Sequence, residues 1–201
     1  MEFFTLVALA AVGFYVLKTR DQSRRIRLLG GHLGHYQIEK LMETLTEGYL
    51  RCLGEKDAER QAQIWALLDQ SEQTLASQFE RFAADFSKID ASQTRVSKLP
   101  VAIPMIDQLL PAATFDVRAA FAIHARGIAD AAANVAQQSP KAKAFTMSAE
   151  LFLMQHTCHW FCRSRTVASA RIQLRHQTSH AMALASVSPR TREAYRALTG
   201  V

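Results

Sequence analysis

The sequence predicts an all-α protein: one N-terminal transmembrane helix followed by a bundle of long helices. Three observations carry that reading. Residues 3–17 form an apolar run with no charge after Glu2, and a dense basic cluster, KTRDQSRRIR, follows at once. Strand signals are nearly absent, and no Asn-Gly or Asp-Gly hairpin turn occurs. Only 8 glycines and 5 prolines interrupt 201 residues, while apolar side chains recur at three- and four-residue steps.

The first element is a membrane anchor over residues 1–17. As a helix, the fifteen residues 3–17 span about 22 Å. That falls short of a hydrocarbon core of roughly 30 Å. Glu2 at one end, and Lys18 and Arg20 snorkelling at the other, make up the difference. Two rival readings are weaker. A secretory signal wants positive charge before its apolar run, and none is present beyond the α-amino group. A buried core helix is the other rival, which a run this short permits.

The basic cluster sets orientation. Lys18, Arg20, Arg24, Arg25 and Arg27 oppose only Asp21, and such residues stay on the cytoplasmic side. The expected location is the inner (cytoplasmic) membrane, single-pass, with the N-terminus outside and the bulk of the chain cytoplasmic. In that compartment Cys52, Cys158 and Cys162 are expected as free thiols. Residues 18–35 read as a juxtamembrane segment whose helix breaks at a Gly30-Gly31 hinge, with His32 and His35 exposed in the following loop. Residues 36–201 form the helical domain, with a candidate subdomain boundary at 90–114.

Within that domain the elements follow from spacing. Residues 36–53 place Ile38, Leu41, Leu45, Tyr49 and Leu53 on one face, with Glu39, Glu43 and Glu47 as a solvated row beside it. Residues 55–89 make a long helix with a seam of Ile64, Leu68, Ser71, Leu75, Phe79, Phe82, Phe86 and Ile89. Its bulky phenylalanines favour packing inside the bundle over self-association. Residues 90–114, with Pro100, Pro104 and Pro111, are irregular apart from a short helix at 105–110. Helix returns over 116–136, with Thr114 as N-cap and His124 as a hydrogen-bonded core histidine. Pro140 sits in the first turn of a further helix after Ser139. No Gly or Pro then occurs before Pro189, so residues 141–188 are compatible with one helix of about 70 Å or with a bend near Thr166 to Ser169. A short helix at 190–198 closes the chain.

Charge is zoned along this layout. The net charge of +6 divides into +4 over residues 18–27, −3 over 28–150, +6 over 151–192, which hold no acidic residue, and −1 from Glu2, Glu193 and Arg196. Membrane lipids are the expected partner of the first zone. Arg163, Arg165, Arg171 and Arg175 in the second suit lipid, nucleic acid or another anionic partner.

One constellation carries metal chemistry. Cys158 and Cys162 stand four apart, as do His176 and His180, and zinc takes two thiolates and two imidazoles tetrahedrally. The pairs meet only if the chain folds back between them. Packing of the cysteines into a core stripe is the commoner outcome. No phosphate-binding glycine loop, His-Glu-x-x-His or nucleophile elbow is present, so nothing argues for catalysis. The expected function is therefore binding: a membrane-anchored scaffold, accessory subunit or assembly factor with a protein partner in a membrane complex and no cofactor. The alternatives are a membrane-tethered binder of nucleic acid or another anionic ligand, and a zinc-dependent sensor.

Overall fold

In the computed structural model the described residues are 2–201; Met1 and the side chain of Glu2, both assigned to the anchor's outer end, lie outside them. The chain is 78% helical and 3% strand, an N-terminal apolar helix leading into a helical bundle. Helix α1 (Glu2–Leu33) is continuous over 32 residues, about 48 Å. It does not break at Gly30-Gly31 as the sequence suggested. Helical glycine costs about 1 kcal/mol relative to alanine, and docking of Leu28, Leu29 and Leu33 onto the core offsets that cost. The chain turns only after Leu33. His32 is consequently helical and half-buried, its ring edge-on to Phe86 at 5.5 Å, while His35 is exposed.

Helices α2 (Ile38–Gly54) and α3 (Ala58–Phe86) pack as an antiparallel pair. Gly48 lets them approach, because a Cβ there would run into Leu68. The predicted seam of α3 is buried at Leu68, Leu75, Phe79, Phe82 and Phe86, between α2 and α5 (Val117–Ala132). Phe121 of α5 completes an aromatic cluster, with ring centroids 6.3, 5.3 and 5.0 Å from Phe79, Phe82 and Phe86. The seam is thus spent inside the bundle, as its phenylalanines implied.

The irregular segment contains structure the sequence did not announce. Strands β1 (Arg95–Ser97) and β2 (Thr114–Asp116) pair antiparallel and bracket the short helix α4 (Ile106–Leu109). Asp116, not Thr114, caps α5, accepting from the Arg118 amide. Core residues on both sides of this segment belong to one hydrophobic cluster.

The stretch from Pro140 to Pro189 is neither one helix nor bent where expected. It forms α6 (Pro140–Cys162), α7 (Arg165–His176) and α8 (His180–Ser186). Serine caps make the breaks: Ser164 accepts from the Val167 amide and Ser179 from the Met182 amide. Helix α9 (Pro189–Thr199) ends the chain on Gly200, whose φ of 76° suits a left-handed C-cap.

Candidate functional site

The first functional feature is what α1 leaves uncovered. Every residue from Phe3 to Leu17 is exposed, including Phe3, Phe4, Leu6, Leu9, Val12 and Phe14. The helix is long and apolar enough to cross a membrane, and none of its apolar window is buried by the rest of the chain. Beyond Leu17 its surroundings change. Arg25 pairs with Asp21 at 2.8 Å and lies 5.5 Å from the Phe161 ring centroid on α6. Its guanidinium also reaches the Phe161 carbonyl at 3.4 Å. Arg163 donates to the Gln22 side chain at 2.7 Å.

These contacts join the two basic zones. Residues 18–27 and the α6–α7 junction are far apart in sequence, yet Arg163 touches α1 directly; Arg165, two residues on, turns its guanidinium to the Trp160 ring at 5.8 Å. Of the expected headgroup contacts, Arg20, Arg24 and Arg27 are exposed and Lys18 is half-exposed. Arg25 is the correction: its side chain is 13% exposed and committed to α6. The four arginines of the second zone do not form one patch. Arg163 sits beside α1, Arg165 lies over the Trp160 ring, Arg171 approaches His159 at 3.2 Å and Arg175 lines a separate cleft.

That cleft, about 620 Å³, lies between α2 and the α6–α7 pair. Glu39, Glu43 and Glu47 form one wall, and His159, Arg175 and His176 the other, with Met42 and Met154 between them. The acidic row is exposed, as expected, but it faces one cation, Arg175, beside two imidazoles that burial keeps neutral near pH 7. This complementarity was not readable locally, because it depends on how α7 folds back onto α6.

Helix α7 does turn back, yet in a register that separates the proposed zinc ligands. His176 stacks on Phe152 with centroids 4.0 Å apart and reaches Gln155 at 2.7 Å; His180 stacks on His156 at 4.1 Å. Both lie against α6 at positions preceding Cys158 and Cys162. Cys158 packs toward Met154, with its sulfur 3.8 Å from the thioether, and Cys162 borders the core. Among the described residues no group of three or more His, Cys, Asp or Glu is placed to hold a metal ion. Burial pushes the Cys158 thiol well up and the Cys162 thiol up to about 11, so both are protonated near neutral pH.

The buried polar groups are structural in geometry. His124 is fully buried, with Nε2 2.8 Å from the Thr157 hydroxyl. Because that hydroxyl donates to the Leu153 carbonyl, His124 and Tyr195 both donate to it. Glu72, hydrogen-bonded by Tyr49, pairs with Lys143, which also meets Asp69 at 2.5 Å. Glu150 accepts from the Ser188 amide at 3.1 Å and lies over Gly127, where a Cβ would clash with its carboxylate. Burial raises the Glu150 carboxyl to about 7. Comparison with protein-family models, with curated proteins and with solved structures finds no match for this chain.

Proposed function

We propose that this protein is a single-pass, membrane-anchored helical binding protein, an adaptor or accessory subunit of a membrane complex. The carrying observation is the wholly uncovered apolar half of α1, continuous with a half that docks into the bundle beside a joined basic rim. An apolar helix exposed on every side has no favourable place in water, and burial in lipid removes that surface. Arg20, Arg24, Arg27 and Arg163 around its exit suit the anionic cytoplasmic leaflet, at about 1 kcal/mol each near the surface. The domain then lies in the cytoplasm and the N-terminus outside. Use of Arg163 at this rim favours lipid over nucleic acid as its partner. The cleft with Glu43 opposite Arg175 is the surface we assign to a protein partner of mixed charge.

The test begins with full-length tagged protein expressed in cells. It should fractionate with membranes, resist alkaline extraction and, in mild detergent, retain a stoichiometric partner through a high-salt wash. Reversing the cleft with Glu43→Lys and Arg175→Glu separately should release the partner without releasing the protein from membranes. Recovery of the full chain in the soluble fraction would overturn the anchor. A partner unaffected by both reversals would overturn the cleft.

A further inference from the structure

We infer that the segment 99–110, LPVAIPMIDQLL, is a second membrane contact, seated in the headgroup layer of an anionic bilayer beside α1. This rests on the reading of α1 as the anchor. The segment has an inner and an outer face. Pro104 and Ile106 are buried against the domain. Val101, Met105, Leu109 and Leu110 point away from it and are 51–65% exposed. Asp107 is the only charged residue in the stretch. Four large apolar side chains gathered on one loop form a patch that water does not favour.

Position gives the patch its occupant. Val101, Ala102, Ile103 and Ile106 line a narrow recess whose opposite wall is Asp21, Gln22 and Arg25 of α1. Asp21 and Gln22 follow the last residue of the apolar run by four and five residues, about 6–8 Å along the helix. The headgroup layer is roughly 5–7 Å thick on each side of the hydrocarbon. The segment therefore stands at headgroup depth once α1 spans. Two further features hold it there. Helix α1 is unbroken through Leu33, so no spacer lifts the domain away. The apolar run is about 8 Å shorter than the hydrocarbon core, which draws the α1 exit and its neighbours toward the bilayer. Lys98 precedes the patch and Arg163 lines the recess beside it, giving the apolar face with a basic border that an anionic interface binds.

The segment is braced for this role. The Thr166 amide and hydroxyl both donate to the Pro100 carbonyl, at 3.1 and 2.8 Å, and the Lys98 amide donates to the Ala113 carbonyl at 2.8 Å. Trp160 donates its indole N–H to the Ser97 carbonyl at 2.9 Å. The outer face is thus held at both ends by the domain that α1 positions.

Photolabelling tests this on the intact chain. Purified full-length protein is reconstituted in vesicles of phosphatidylcholine and phosphatidylglycerol containing a lipid with a diazirine high on its acyl chain. After irradiation, trypsin releases residues 1–18, 99–118 and 61–81, the last carrying exposed Leu67 as the aqueous reference. Label on 99–118 should exceed that on 61–81 about fivefold or more, alongside label on 1–18. Label confined to 1–18 overturns the second contact and leaves the anchor intact. Label on neither overturns both. The variant Leu109→Glu with Leu110→Glu, at exposed positions, should lose label from 99–118 while 1–18 keeps it; unchanged label on 99–118 also overturns the proposal.

Discussion

The phenylalanine cluster around Phe121 and the foot beside α1 are both built from large apolar side chains, yet only the first is sealed. Phe79, Phe82, Phe86, Phe121 and Phe161 are fully buried, and their mostly edge-on rings knit α3, α5 and α6 together. At the foot, the apolar side chains of α1 and those on the outer face of 99–110 stay exposed. Arginines mark the border between the regions: Arg25 packs inward on Phe161, while Arg20, Arg24 and Arg27 remain outside. The difference separates two uses of hydrophobicity. One is spent on folding and the other is held for a second phase.

The sharpest way to break this contrast is one large substitution on each side. Phe121→Ala removes the ring shared by three partners and should cost the domain about 3–5 kcal/mol. Urea unfolding of the full chain in detergent reads this directly. Leu9→Arg should leave that unfolding curve unchanged, because Leu9 touches no part of the domain. It should instead oppose insertion by about 2.5–3.5 kcal/mol, read as release from membranes. A destabilised domain in Leu9→Arg would mean that α1 belongs to the core after all.

Acid should attack the sealed region and spare the foot. Burial depresses His124 to about 3 and His156 to about 2, with His180, His159 and Arg165 adding repulsion at His156. Unfolded, these histidines take up protons below about pH 6.5, so the stability of their neutral buried forms is lost as pH falls. Glu150 acts oppositely. Its folded pKa of about 7 lies above the usual 4.5, so the folded state holds an extra proton between those values. These two histidines outweigh one glutamate by about one proton, a slope of roughly 1.4 kcal/mol per pH unit from 6 to 4.5, and His159 and His180, each lowered to about 4, steepen it further. Stability should be greatest at about pH 7 and fall on acidification. A flat profile from pH 6.5 to 4.5 would show that the histidines are not held neutral by burial.

Glu150→Gln isolates the opposing component. Glutamine can keep the Ser188 amide bond through its carbonyl oxygen and turn its amide toward Thr191, above Gly127. At pH 8 the variant should be about 1–3 kcal/mol more stable than the parent, because it avoids a buried carboxylate. Near pH 5 the two should converge. A variant less stable at both pH values would mean that the carboxylate is paired rather than merely buried.

The regular parts of this fold were legible because they rest on local periodicity. The seam of α3, the apolar face of α2 and the buried His124 all follow from spacing and residue type. The breaks at Ser164 and Ser179 were not, because neither Gly nor Pro marks them; a serine three residues before a capped amide is a faint signal inside helix-compatible sequence. The Cys158–Cys162 and His176–His180 pairs were visible as shared faces, but the register of α7 on α6 decides which turns meet, and spacing does not encode it. The joining of the basic zones is likewise tertiary, depending on α1 docking where Phe161 and Arg163 emerge. The segment 99–110 could have been found: twelve residues with one charge are conspicuous beside a basic cluster, although prolines make them read as a plain loop.

The smallest effect tests the border itself. Arg25→Met keeps an apolar stem against Phe161 but removes the ion pair with Asp21, the reach to the Phe161 carbonyl and the cation over the ring. Together these should lower domain stability by only about 1 kcal/mol. The more informative readout is orientation. If Arg25 fixes α1 against α6, its loss should loosen the angle between anchor and domain and reduce lipid labelling of residues 99–118, while labelling of 1–18 stays constant. Arg24→Met, on the exposed side of the same turn, should change neither. Equal effects from both substitutions would show that the border acts through net charge at the leaflet rather than through the docking of α1.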